Sequence, residues 1–225
     1  MRYPCRHRIP RAFPVAVKTS SRKARRTRTP EHRTPRREEI LEVAAELFAE
    51  QGYDAVSLAD IAQAVGLSKA TLYHYFDRKE AILGTIVVTT IRDLNAAVDA
   101  AIAGVAEPEA RLVVFLEAQA DFFEGHQTWF KVLLTRFNSL TEPRLRDLAV
   151  EWRVNYENTI KRIIHDGIAA GAFRTSSPNS VVRAALASLY WLARWYRPGG
   201  PQRAREIARE YADVLLYGVA VRNRR

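Results

Sequence analysis

From residue 36 onward, apolar side chains recur at intervals of three and four, the period of helices with one buried face. No stretch alternates with period two for long enough to form a strand. A first helix over about 36–51 carries Ile40, Ala44, Leu47 and Phe48 on one face, and Gly52 closes it. Ser57 precedes Leu58, Ile61 and Ala62 as the N-cap of a short helix ending near Val65. Asp60, three residues on, completes a loose capping box. Gly66 breaks the chain, Ser68 caps a third helix over about 69–75, and Asp77 with Glu80 is the expected cap of a fourth. That fourth helix, about 78–103, places Leu83, Val87, Ile91, Leu94, Val98 and Ile102 in one stripe. Helices over about 109–124, 127–138, 144–170, 179–196 and 202–221 follow, separated by Gly125, Pro143, Gly171 with Pro178, and the run from Pro198 to Pro201. About nine helices and no sheet predict an all-α architecture.

Charge changes the picture at one end only. Of 35 Lys and Arg, ten fall within residues 1–30, which hold no acidic group, so the net charge of +10 is carried by that segment. Residues 1–35 are rich in Pro and Arg and lack periodicity, the composition of a disordered basic extension. Three readings of it compete: an arm for DNA phosphates or a minor groove, an Arg-rich transit peptide, and an over-long reading frame. A single cysteine, Cys5, excludes an intramolecular disulfide framework and a multi-cysteine zinc site. The longest apolar stretch, Ala184–Ala193, is interrupted by Ser188 and is about half of the roughly 20 residues a membrane span needs, and no signal-peptide core follows the basic start. A soluble, reducing, cytoplasmic setting is the expectation, with no metal and no cofactor.

The informative stretch is Val56–Glu80, VSLADIAQAVGLSKATLYHYFDRKE. Two short helices meet across a glycine turn, locked by Leu58, Ile61, Ala62, Val65, Leu67 and Leu72. The second presents Ser68, Lys69, Thr71, Tyr73 and His74, short polar groups and a cation suited to base edges and phosphates. A helix-turn-helix can also be a plain packing unit; the caps, the small crossing residue and the basic-aromatic face together favour a nucleic-acid reader.

These residues resemble the N-terminal domain of the TetR family of bacterial transcriptional regulators. The matching run is ILEVAAELFAEQGYDAVSLADIAQAVGLSKATLYHYFDRKEAIL, Ile40 to Leu83. The resemblance implies a helix-turn-helix DNA-binding domain over 36–82 and a larger ligand-binding and dimerisation domain over 83–225. It implies a homodimer that places one recognition helix per subunit in a major groove of operator DNA. By that resemblance Lys69, Thr71, Tyr73 and His74 face DNA, with Ser68 at the helix start, while Ser57 and Lys79 touch flanking phosphates. Ala193–Pro201, ARWYRPGGP, and Ile164–Arg174, IHDGIAAGAFR, resemble a subgroup that controls fatty-acid and steroid catabolism genes and responds to acyl-CoA thioesters.

Eight of the chain's 22 aromatic residues lie between Phe115 and Tyr156. They fill a solid core or line an apolar chamber between the middle helices. Phe122, Phe123, Trp129, Phe130, Trp152, Tyr156 and Tyr190 are the candidate walls, and Arg136 the candidate cation for an anionic effector group. The helix near 179–196 is apolar almost all round, and the last helix carries a matching stripe. Leu189, Leu192, Trp195, Tyr196, Tyr211, Val214 and Leu215 are therefore the expected dimer contacts, forming a four-helix interface across two subunits. No histidine pairing, phosphate loop or nucleophile elbow points to an enzyme. The function expected is a ligand-released repressor. The alternatives are a non-specific nucleic-acid binder driven by the basic arm and a helical enzyme.

Overall fold

The structure is a computed structural model and describes residues 33–218. The basic extension falls almost wholly outside these residues, as does the expected end of the last helix. Nine α-helices make up the described part, with no strand among them: α1 (Arg33–Gln51), α2 (Leu58–Ala64), α3 (Lys69–Tyr73), α4 (Lys79–Ile102), α5 (Pro108–Gly125), α6 (Gln127–Arg136), α7 (Pro143–Ala169), α8 (Pro178–Trp195) and α9 (Ala204–Tyr217). A 3₁₀ turn, Phe137–Ser139, takes the end of the expected sixth helix.

α1 begins three residues before the expected start, because a proline in a first helical turn forfeits no hydrogen bond. α3 is two residues shorter than expected, and Asp77 does not cap α4. The N-cap is Arg78, with no side-chain bond to the helix start. The short link between α3 and α4 leaves the exposed Asp77 one residue too early to reach the free amides.

α4 is the central element and packs on α1, α5, α6 and α7. Its expected stripe is buried from Leu83 to Val98, and Ile82, Ile86 and Gly84 are buried as well. By length and composition α4 could cross a membrane, but 56% of its apolar window is buried inside the protein, where it serves as the core helix. At Gly84 an added Cβ would lie 2.4 Å from Leu145 Cδ1 and 2.9 Å from its Cβ, so the glycine lets the start of α7 come down on α4. Asn95 ties the same pair further along, its amide donating to the carbonyls of Ile91 (2.7 Å) and Trp152 (3.1 Å).

α5 packs on α9 through charge as well as apolar contact. Arg205 reaches Glu117 at 2.6 Å and Asp121 at 2.5 Å, while Arg209 adds a second link to the buried Glu117. α9 thereby sits against α5, the helix that carries Phe115, Phe122 and Phe123, and α8 packs on both α7 and α9.

Candidate nucleic-acid interface

The turn between α2 and α3 ends α2 in a Schellman motif. The amide of Leu67 donates to the carbonyl of Ala62 at 2.8 Å, and that of Gly66 to Gln63 at 3.0 Å. Gly66 has φ +68°, in the left-handed region where a side chain is strained. At the other end of α2 the capping box is complete. Ser57 Oγ accepts from the Asp60 amide (3.2 Å), and the Asp60 carboxylate accepts from both the Ser57 amide (2.8 Å) and its hydroxyl (2.7 Å). These last two bonds, the backbone one first, hold the Asp60 carboxyl below its ordinary value. Ser57, expected on a phosphate, has its hydroxyl proton committed to Asp60.

α3 has only five residues and is fixed by one side chain on its inner face, the fully buried Leu72, with Phe76 just beyond it. Ser68 caps it by accepting from the Thr71 amide at 3.1 Å, and the two hydroxyls share a 2.7 Å bond. The outer face then carries Lys69, Tyr73 and His74, all exposed, with Thr71 half-buried between them. The Lys69 ammonium lies 5.9 Å from the centre of the Tyr73 ring, so cation and phenol form one patch.

Lys79, expected at a flanking phosphate, makes internal contacts that the sequence did not reveal. Its ammonium donates to the carbonyls of Tyr53 (2.8 Å) and Val56 (2.7 Å) and sits 4.2 Å from the Tyr53 ring. It closes the loop between α1 and α2 rather than standing free. Burial is the first cause raising the Tyr53 phenol above its ordinary range, followed by the nearby Glu80. Arg36, not anticipated from sequence, donates to the Val65 carbonyl at 3.0 Å and bolts the start of α1 to the end of α2.

Two side chains of α6 hold the reader to the helices behind it. Lys131 donates to the Ala49 carbonyl at 2.6 Å, and Arg136 pairs with Asp54 at 3.2 Å. Arg136 is thus turned toward the α1–α2 loop, and not into an apolar chamber. The aromatic residues expected to line that chamber mostly pack on one another. Phe122, Phe123, Phe130 and Tyr156 are buried. Phe115 stacks on Tyr156 at 5.3 Å, Phe123 meets Phe130 edge-on at 5.5 Å, and the Tyr156 hydroxyl donates to Gln119. Trp129 and Trp152 are half-buried against the same core. Burial raises the Tyr156 phenol far above its ordinary value. Of the expected walls, only Phe123 and Tyr190 border a cleft of about 540 Å³ that opens between α1, α6 and α8.

The expected dimer contacts divide in the same way. Leu189, Leu192 and Tyr196 are buried in the protomer's own core, because positions 182, 185, 189, 192 and 196 form the inward stripe of α8. Trp195 and Val214 are exposed, and Tyr211 and Leu215 are half-buried. The stripe that does face outward is Ala184, Ala187, Trp191 and Trp195, with Trp191 60% exposed, continued on α9 by Val214 and Tyr217. Spacing of three and four from Ala184 would have revealed it, but a helix apolar on two faces does not say which face looks inward.

Comparison with known proteins agrees with this geometry. Residues 40–86 match the profile of bacterial regulatory proteins of the tetR family. Residues 105–219 match that of the tetracyclin repressor-like C-terminal domain. The HTH-type transcriptional repressor KstR2 of Rhodococcus jostii is 27% identical over 186 residues, 82% of this chain and 91% of its own length. The crystal structure of the TetR family transcriptional regulator PfmR from Thermus thermophilus superposes with a TM-score of 0.76 at 42% identity, covering 81% of this chain and 99% of that one. The ketosteroid transcriptional regulator KstR2 of Mycobacterium tuberculosis superposes with a TM-score of 0.75 at 27% identity, covering 83% and 96%.

Proposed function

This chain belongs to the TetR family of bacterial regulatory proteins and is a DNA-binding transcriptional regulator rather than an enzyme; from that premise we propose that it is a homodimeric repressor released from its operator by a small effector. The observation that carries this reading is the outer face of α3. Lys69, Thr71 and Tyr73 are gathered on one short helix whose buried residue is Leu72, with His74 at its C-cap. Such a face offers hydroxyls and a cation to base edges and phosphates in a major groove. Residues 36–82 then form the reader, and residues 83–225 the sensing and dimerising part, working in the cytoplasm.

The second copy is placed on the outward stripe of α8 and α9. Exposed tryptophans and valine in a continuous strip are what an isologous four-helix interface buries. Two-fold symmetry calls for a near-palindromic operator with half-sites about one helical turn apart or slightly more. The relatives named KstR2, one of them a ketosteroid regulator, and the ARWYRPGGP turn make acyl-CoA thioesters the first effector class to try. An effector works only by its different affinity for the DNA-competent and DNA-incompetent arrangements.

A mobility-shift titration on the promoter of the protein's own gene tests the reading. A sequence-specific shift should persist against competitor DNA and be released by one member of an acyl-CoA panel. Thr71→Ala with Tyr73→Ala should abolish the shift while gel filtration still shows a dimer. Binding that ignores sequence and collapses with salt would replace this reading with phosphate-driven, non-specific association.

A further inference from the structure

The cleft between α1, α6 and α8 has features that neither the aromatic core nor the recognition helix uses. Its volume, about 540 Å³, is within the ordinary range of small-molecule sites. One wall is α8 and the turn after it, which supply Tyr190, Arg194 and Arg197. Arg194 and Arg197 belong to the ARWYRPGGP run, where the helix pattern alone gave neither a role. The facing wall is α1, with Glu46 and Glu50 one helical turn apart and both exposed. The floor is α6, together with Phe123.

Groups of both charges line this cleft, Arg194 and Arg197 from α8 and the turn after it, Glu46 and Glu50 from α1. Arg111, Arg136, Arg203, Arg205 and Arg209 each pair with a carboxylate. Arg194 and Arg197 pair with none among the described residues, and neither Glu46 nor Glu50 pairs with a cation there. Arg197 makes only a 3.3 Å bond to the neighbouring Tyr196 carbonyl. The two guanidiniums and the two acids come to the cleft from different elements, and no ion pair joins them. A phenol, exposed over 57% of its surface, stands beside the arginines at Tyr190.

We infer that this cleft is a binding site for an amphipathic organic anion, with its charged head on Arg194 and Arg197 and its apolar body against Tyr190, Phe123 and Leu134. A guanidinium without a carboxylate offers its full fork of donors to a carboxylate, sulfonate or phosphate. Glu46 and Glu50 repel a second anionic group, so the ligand carries its charge at one end. A molecule seated here touches the first helix of the reader and the eighth helix of the sensor at once. It lies beside the Lys131 bond to the end of α1. Only its consequence for DNA rests on the repressor reading; the binding itself does not.

The test uses the full chain and the dye 8-anilinonaphthalene-1-sulfonate, an aromatic anion with a single head group, titrated by fluorescence at moderate salt. Arg194→Gln with Arg197→Gln should weaken dye binding at least fivefold. Glu46→Gln with Glu50→Gln should tighten it at least twofold with far-UV circular dichroism and thermal midpoint unchanged, which separates the gain from the dye uptake of a loosened fold. Dye affinity unchanged in both pairs would overturn the inference and place the dye on the exposed tryptophans of α8 instead. The operator shift measured on the same proteins without dye keeps the two readings apart. Wild-type protein that binds dye as described but no operator would sink the repressor reading and leave the cleft standing. A specific operator shift with dye binding indifferent to both pairs would do the reverse.

Discussion

Lys79, expected at a phosphate, is also engaged inside the fold. Its ammonium satisfies two main-chain carbonyls and stacks on Tyr53. Hydrogen bonds to a charged group contribute about 1.5–3 kcal/mol. Lys79→Met should therefore lower stability by an amount of that order in chemical denaturation. The salt slope of operator binding should stay unchanged, whereas loss of a phosphate contact would reduce it by about one. Asp60 gives a second residue-scale test. Its folded value is depressed by the bonds from Ser57, so the capping box stabilises α2 above the ordinary aspartate value of about 3.9 and is lost as pH falls through the lowered value. NMR titration of the Asp60 carboxyl should give a midpoint below about 3.9, rising toward it in Ser57→Ala. The caps Ser57 and Ser68 are legible in sequence because an N-cap is a local device. The partners of Lys79, Arg36 and Arg136 are not, since each bond spans more than twenty residues.

Glycine sets two element-scale contacts of different kinds. Gly66 is required by its dihedral, and Gly66→Ala should cost about 1–2 kcal/mol through backbone strain alone. Gly84 is required by its neighbour. Gly84→Ala would press on Leu145 and should cost about 1–3 kcal/mol by overpacking, visible as a lowered thermal midpoint with helix content retained. The first can be read from sequence as a break in periodicity. The second cannot, because a glycine inside a long apolar helix carries no sign of which helix will cross it. The same asymmetry runs through the sensing part. Helix existence follows from spacing, and the boundaries of α5, α7 and α8 lie within a residue or so of expectation. The division of apolar side chains between own core, cleft and outward stripe depends on rotation about each helix axis. On a helix apolar on several faces, spacing does not fix that rotation, and so Leu189, Leu192 and Tyr196 turn inward against expectation.

At the scale of the whole molecule, α4 links reader and sensor in one uninterrupted rod of about 36 Å at 1.5 Å per residue. α6 fastens the same two parts through Lys131 and Arg136. Replacing Trp191 and Trp195 together by aspartate should give a monomer by light scattering with unchanged far-UV circular dichroism. Because half-site recognition needs both readers, the same variant should lose the operator shift at concentrations where wild type saturates. A different consequence follows from the brevity of α3. Five residues are too few to hold a helix in water, where isolated helices under roughly 12–15 residues are marginal. The reading surface exists only while Leu72, Phe76 and Ile61 hold it from behind. A genetic screen for lost repression should therefore return substitutions at these hidden positions about as readily as at Thr71 or Tyr73, and the two groups should part when heated: the first recovers function at lower growth temperature, the second does not.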